Sequence, residues 1–173
     1  MKKGIKYLSI FIIGIIAVVS LLYINDTIGT NKSDIEKDAR SSQKIKDNWS
    51  VAKDTTDIMS AMIFYSDDFN DHTFSIYVNR PGFSFGYFFR LGGSIIEAEK
   101  YVAEIQIEGY NERAFVSMNE QKVNKIEIDD GNSVQTINID TEKPFAVILS
   151  ANAGNVTIYD IKGNIVESIK HRV

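Results

Sequence analysis

Eighteen residues from Tyr7 to Ile24 carry no charge, and only Ser9, Gly14 and Ser20 break their apolar character. As a helix rising about 1.5 Å per residue they reach roughly 27 Å, close to the ~30 Å hydrocarbon core of a bilayer. A secretory leader has a shorter apolar stretch that ends in small residues at a cleavage point. The nearest such point here, Val18-Val19-Ser20, runs into Leu21-Leu22-Tyr23-Ile24, which is further apolar sequence. The segment therefore reads as an uncleaved signal anchor, with a cleaved leader as the weaker alternative. Lys2, Lys3 and Lys6 precede it, whereas the far side has no Lys or Arg until Lys32. Basic residues are retained on the cytoplasmic side, so residues 1–6 are expected in the cytoplasm and everything beyond Ile24 outside it. Tyr7 and Tyr23 stand at the two ends, where amphipathic rings favour the headgroup layer.

Residues 25–48 read as a polar linker with isolated apolar positions at Ile28, Ile35, Ala39 and Ile45. So little apolar surface does not fold alone, and a flexible solvated stalk is the first expectation. Ser33-Asp34-Ile35-Glu36 has the spacing of a capping box, and Glu36 with Arg40 forms an i,i+4 pair, so a marginal helix from Asp34 to about Lys46 is the alternative.

Residues 49–173 form the expected folded domain, and residue choice fixes its class. From Asn25 onward the chain has nineteen Ile, ten Val, nine Phe and six Tyr but two Leu, a preference that suits pleated strands. Short apolar alternations recur between turn residues. Strands are expected over Asp57–Tyr65, His72–Asn79, Phe83–Leu91, Val102–Glu108, Arg113–Met118, Lys125–Ile128, Val134–Ile139, Phe145–Ser150, Val156–Ile161 and Asn164–Ile169. No helical pattern separates them, so antiparallel neighbours are the default. The expected fold is all-β: an antiparallel β-sandwich or jelly-roll-like domain of about 8–10 strands. Two hairpins stand out, His72–Asn79 with Phe83–Leu91 and Val156–Ile161 with Asn164–Ile169. In the first, strand parity assigns Phe74, Ile76, Val78, Phe83, Phe85, Tyr87 and Phe89 to the core, and Tyr77, Phe88 and Arg90 to the opposite face.

Composition removes whole classes of function. Without cysteine there are no disulfides, thiolate metal sites or cysteine nucleophiles. A net charge of −4 gives no footprint for nucleic acid. That value averages two unlike parts, because the portion beyond Ile24 holds 16 basic against 23 acidic residues. No nucleophile elbow, zinc motif or phosphate-cradling glycine loop is present. Tyr77, Phe88 and Arg90 are the first candidates for a binding face, since aromatic and Arg anchors dominate interfaces; the competing reading is that another strand or loop covers them. Asp67, Asp68, Asn70 and Asp71 crowd one loop beside His72, and oxygen clusters of that kind suit calcium, although a hydrogen-bonded turn is the commoner outcome. Asp129-Asp130-Gly131-Asn132 is a second turn of the same sort. Paired acids such as Glu97 with Glu99, or Glu104 with Glu108, suggest hydrolase carboxylates, but alternating Glu over Val102–Glu108 is better explained as a strand's solvent face. Trp49 is expected to close the end of the core, with membrane-proximal anchoring as the sharper alternative.

The resulting expectation is a non-enzymatic module of a bacterial cell envelope, held by one helix in the membrane, that binds an envelope protein or cell-wall ligand and uses no cofactor, a calcium ion at the acidic loop being the weaker alternative. A hydrolase acting on glycan or lipid, and a structural subunit of a membrane assembly, are the two alternatives.

Overall fold

In the computed structural model, residues 11–20, 28–80, 85–95, 98 and 100–173 are described. Residues 11–20 form a helix, α1, whose apolar side chains are all exposed. Among the described residues no helix is long and apolar enough to cross a membrane. The remaining ends of the Tyr7–Ile24 segment lie outside the described residues.

Beyond it the described residues are all-β apart from a 3-10 turn, Lys32–Asp34, one helix, α2, Ile35–Ser42, and helical backbone at Ala98 and Lys100. Twelve strands follow: β1 Ser50–Thr55, β2 Met59–Tyr65, β3 His72–Asn79, β4 Tyr87–Gly93, β5 Val102–Gln106, β6 Glu112–Ser117, β7 Val123–Asp129, β8 Val134–Asn138, β9 Phe145–Ser150, β10 Asn155–Asp160, β11 Ile165–Val166 and β12 Ser168–Arg172. They make three four-stranded sheets, ordered β1-β2-β3-β4, β12-β5-β6-β9 and β11-β10-β7-β8. Neighbours are antiparallel except β12 and β5, which run parallel.

The sheets stack in the order just given. Period-two alternation sends Met59, Ala61, Ile63, Phe74, Ile76 and Val78 of the first sheet against Ala103, Ile105, Ala114, Val116 and Ile148 of the middle sheet. The intervening residues of the middle sheet, Val102, Phe115, Phe145 and Leu149, pack against Val123, Ile126, Ile128 and Ile158 of the outer sheet. The middle sheet is thus buried on both faces. A simple sandwich has two sheets and one core, whereas this chain has three sheets and two cores between them.

The crossings between sheets are held by polar groups. Asn119, buried at the passage from β6 to β7, accepts from Val123 N at 2.7 Å and donates to Asp140 O at 3.0 Å. Its backbone has φ +62°, a conformation asparagine tolerates better than most residues. Gly154 has φ +96°, and a Cβ there would lie 2.1 Å from the Asp129 carbonyl, so the β9–β10 turn admits only glycine. The Asp54 carboxylate on β1 accepts from Ile148 N at 2.8 Å, tying the first sheet to the edge strand of the middle one.

Several expectations change here. The polar stretch after Ile28 is part of the domain rather than a solvated stalk. Ile35, Ala39 and Ile45 are buried on the outer face of the first sheet against Met62, Phe64, Tyr77 and Tyr87, with Trp49 at the margin. Thr30 exchanges backbone hydrogen bonds with Tyr87, adding a short edge to β4. The capping box does not form, because Glu36 is drawn away to Arg40 and Lys53 at 3.0 and 2.6 Å. Asn164–Ile169 is not one strand: β11 pairs with β10, and the chain then leaves the outer sheet at Glu167 and enters the middle sheet as β12. β1 is an additional strand, paired with β2 in register along its full length.

Candidate functional site

The first candidate, Tyr77 with Phe88 and Arg90, does not share a face. A bulge between Ile76 and Tyr77 shifts the β3–β4 register, so Tyr77 stands opposite Phe89, Val78 opposite Phe88 and Asn79 opposite Tyr87. The parity argument therefore inverts for Tyr87 and Phe89, which lie on the α2 side, while Phe85 is exposed. Tyr77 is fully buried beneath α2, its ring edge-on to Phe89 at 5.5 Å and its hydroxyl donating to Asp38 Oδ2 at 2.7 Å. Burial, reinforced by the Asp38 carboxylate, pushes the Tyr77 hydroxyl well above the ordinary tyrosine range. Phe88 lies under the Arg80 guanidinium, 4.0 Å from its ring centre, and Arg90 is exposed. The covering element is a helix from the stretch expected to be linker.

The acidic loop between β2 and β3 is a self-contained turn. Ser66 Oγ donates to Asp68 Oδ1 at 2.5 Å, Asn70 Nδ2 donates to Asp68 Oδ2 at 2.8 Å, and Asp71 N donates to Ser66 Oγ at 3.0 Å. Phe69, at φ +57°, stacks on Tyr65. Hydrogen bonds from Ser66, then Asn70, hold the Asp68 carboxyl below its usual range. The structure so brings Asp68 and Asn70 together, whereas Asp67 and Asp71 make no shared set of oxygens with them. In the second acidic turn Asp130 accepts from the backbone of Asn132 and Ser133 at 2.8 and 2.7 Å, which lowers its pKa in the same way. Among the described residues no three His, Asp or Glu side chains converge. His72 begins β3, and its Nε2–H donates to Ile95 O at 3.2 Å. Glu97 and Glu99 lie outside the residues whose side chains are described.

A further site, around the Glu104 carboxylate expected on a solvent face, lies where β11 gives way to β12. A cleft of about 550 Å³ opens there between the outer and middle sheets, lined by Glu104, Arg113, Thr157, Glu167, Ser168 and Lys170 among others. Glu104 is buried, 7% exposed, because β12 and the outer sheet cover the face read from sequence as solvated. Arg113 Nη1 donates to Glu104 Oε1 and Ser168 Oγ to Glu104 Oε2, both at 2.8 Å, and the guanidinium lies over Phe115 at 5.4 Å. Arg113 Nε is buried without a hydrogen-bond partner. The two acids, Glu104 and Glu167, and the two bases, Arg113 and Lys170, along this wall balance in formal charge. Glu104 has both oxygens engaged, the setting of a positioning carboxylate and the reverse of what a general acid needs. The signal in the sequence is Arg113 itself, a charged residue directly before the apolar run Ala114-Phe115-Val116 of β6.

No protein-family model, curated protein or solved structure matches this chain.

Proposed function

We propose that this protein is a single-pass membrane protein whose all-β domain stands outside the cytoplasm and serves, without catalysis, as an interaction module. The observation that carries the reading is the Tyr7–Ile24 segment: uncharged, long enough to cross a bilayer, preceded by three lysines, and helical with exposed apolar side chains over residues 11–20. Such a helix in water would present a continuous apolar surface, which only lipid or another apolar partner relieves. Support for a binding role over hydrolysis comes from the carboxylates. Among the described residues, those whose acidity is displaced, Glu36, Asp68, Asp130, Asp140 and Asp160, are made more acidic, and they hold turns or ion pairs. The polar cleft beside Glu104 and Arg113 is the surface offered to the ligand.

Because the chain lacks cysteine, a single introduced thiol reports its own location. Asp130→Cys, in an exposed turn, is expected to react with a membrane-impermeant maleimide in intact cells, and the protein to resist carbonate extraction. Labelling only after lysis would sink the topology. A photocrosslinker replacing Lys170 at the cleft should capture an envelope component that one replacing Asp130 does not; equal capture from both would remove the cleft from the proposal.

A further inference from the structure

We infer that the edge of the first sheet made by residues 28–30 and 85–87 rests on the lipid headgroup layer, so that the domain lies against the bilayer instead of standing away from it. The inference relies on the membrane anchor proposed above and adds a second contact surface to it.

Three residues, 25–27, separate the apolar segment from Ile28. Four peptide steps of at most ~3.6 Å leave Ile28 within about 14 Å of the end of that segment, however the intervening chain runs. The headgroup layer itself occupies roughly 5–7 Å on each side of the hydrocarbon. From Ile28 onward the chain has no slack, because Gly29 N donates to Phe85 O at 2.6 Å and Thr30 N to Tyr87 O at 2.8 Å. Gly29 and Gly86 allow this close approach: a Cβ on Gly29 would lie 2.6 Å from Tyr87 O, and Gly86 has φ +89° with Thr30 O 2.7 Å from its Cβ position. The anchor is therefore stitched directly to one edge of a rigid sheet.

That edge has the side chains an interface accepts. Phe85 is 62% exposed and Ile28, bridged to it, 43% exposed. Behind them the Phe88 ring lies against Gly29 and under the Arg80 guanidinium, an arrangement in which an apolar body carries a charged tip. Lys32, two residues past Thr30, is paired with Asp57 at 3.0 Å. The contact draws on apolar side chains and not on net charge, since the domain as a whole is acidic; it is expected to be insensitive to salt.

The test uses the full chain in liposomes of neutral phosphatidylcholine, with an environment-sensitive fluorophore on Phe85→Cys, on Ile28→Cys and, as a distant exposed control, on Val134→Cys. Flotation of the liposomes tests the anchor separately, since all three variants should co-float. With lipids brominated near the headgroup, the labels at positions 85 and 28 are expected to be quenched at least two-fold more than the label at 134, equally at low and high salt. Co-flotation with the same weak quenching at all three positions overturns the inference while leaving the anchor intact. Absence of flotation overturns the anchor and the inference together. Far-UV circular dichroism of each variant confirms the fold, which substitutions at exposed positions leave unchanged.

Discussion

Glu104 accepts from both Arg113 and Ser168, and the carboxylate and guanidinium are both largely buried beside the cleft. Removing one member of a buried ion pair strands the other, which costs about 3–5 kcal/mol, whereas replacing both by apolar groups of similar volume is often close to neutral. Arg113→Ala is thus expected to lower stability by about 3 kcal/mol or more, and Arg113→Leu combined with Glu104→Leu to recover most of that loss in urea titrations. A double variant as unstable as the sum of the two single ones would show that the pair contributes through something other than charge compensation. Tyr77 offers a second test at this scale. Its hydroxyl proton is held more tightly in the folded state, so above the unfolded-state pKa of about 10 the unfolded chain binds fewer protons than the native one. Stability is then full below pH 10 and falls as pH rises beyond it, by up to ~1.4 kcal/mol per unit. Tyr77→Phe, which forfeits the Asp38 hydrogen bond at a cost of about 1–2 kcal/mol near neutrality, should lose that part of the alkaline slope. An unchanged slope above pH 10 would assign it to other groups.

At the scale of elements, α2 owes its existence to docking. Eight residues do not hold a helix in water, and its sequence, Ile-Glu-Lys-Asp-Ala-Arg-Ser-Ser, has two apolar positions. Those two, Ile35 and Ala39, meet the sheet one helical turn apart, while Gln43 just beyond the helix accepts from Thr73 Oγ1 at 3.0 Å and donates to Ser75 Oγ. Ile35→Ala is expected to cost about 2–5 kcal/mol and to abolish amide protection over residues 36–42 while β5 and β6 keep theirs in hydrogen exchange. Protection lost uniformly across the molecule would mean that helix and sheets unfold as one unit. The same element marks a boundary of legibility. Strand β3, by its alternation, and β9, by its unbroken apolar run ahead of Ser150, are readable to the residue. The docking of α2 rests on three apolar residues scattered through a polar run, a pattern that acquires meaning only beside the apolar outer face of β2 and β3. Likewise β1, Ser-Val-Ala-Lys-Asp-Thr, lacks a strong alternation and is a strand because β2 pairs with it.

The whole molecule differs from a two-layer sandwich through its middle sheet, and that sheet explains why Glu104 was misread. Alternation along a strand reports two different faces without reporting what lies on each. For β5 the second face meets a third sheet, so a charged residue there is a paired interior group and not a solvated one. The β3–β4 face assignment failed for a related reason: one bulge reverses parity beyond it, and nothing local in Phe88-Phe89-Arg90 announces the bulge. The stack also makes its two ends unequal. β8 is exposed along almost its whole length and borders solvent, whereas β12 closes the middle sheet beside β5 and supplies Ser168 to Glu104. Lengthening the β7–β8 turn by Gly-Ser after Gly131 is expected to cost less than about 1 kcal/mol, since loop closure depends weakly on length. Deleting Ser168–Val173 instead unpairs the β5 edge, opens both cores at once and leaves Arg113 and Glu104 to water; a fall in Tm of about 10 °C or more is expected for a loss of several kcal/mol in a domain of this size. If the deletion melted within a few degrees of the full chain, β12 would be an ornament on a complete sheet, and the middle layer would owe its stability to β5, β6 and β9 alone.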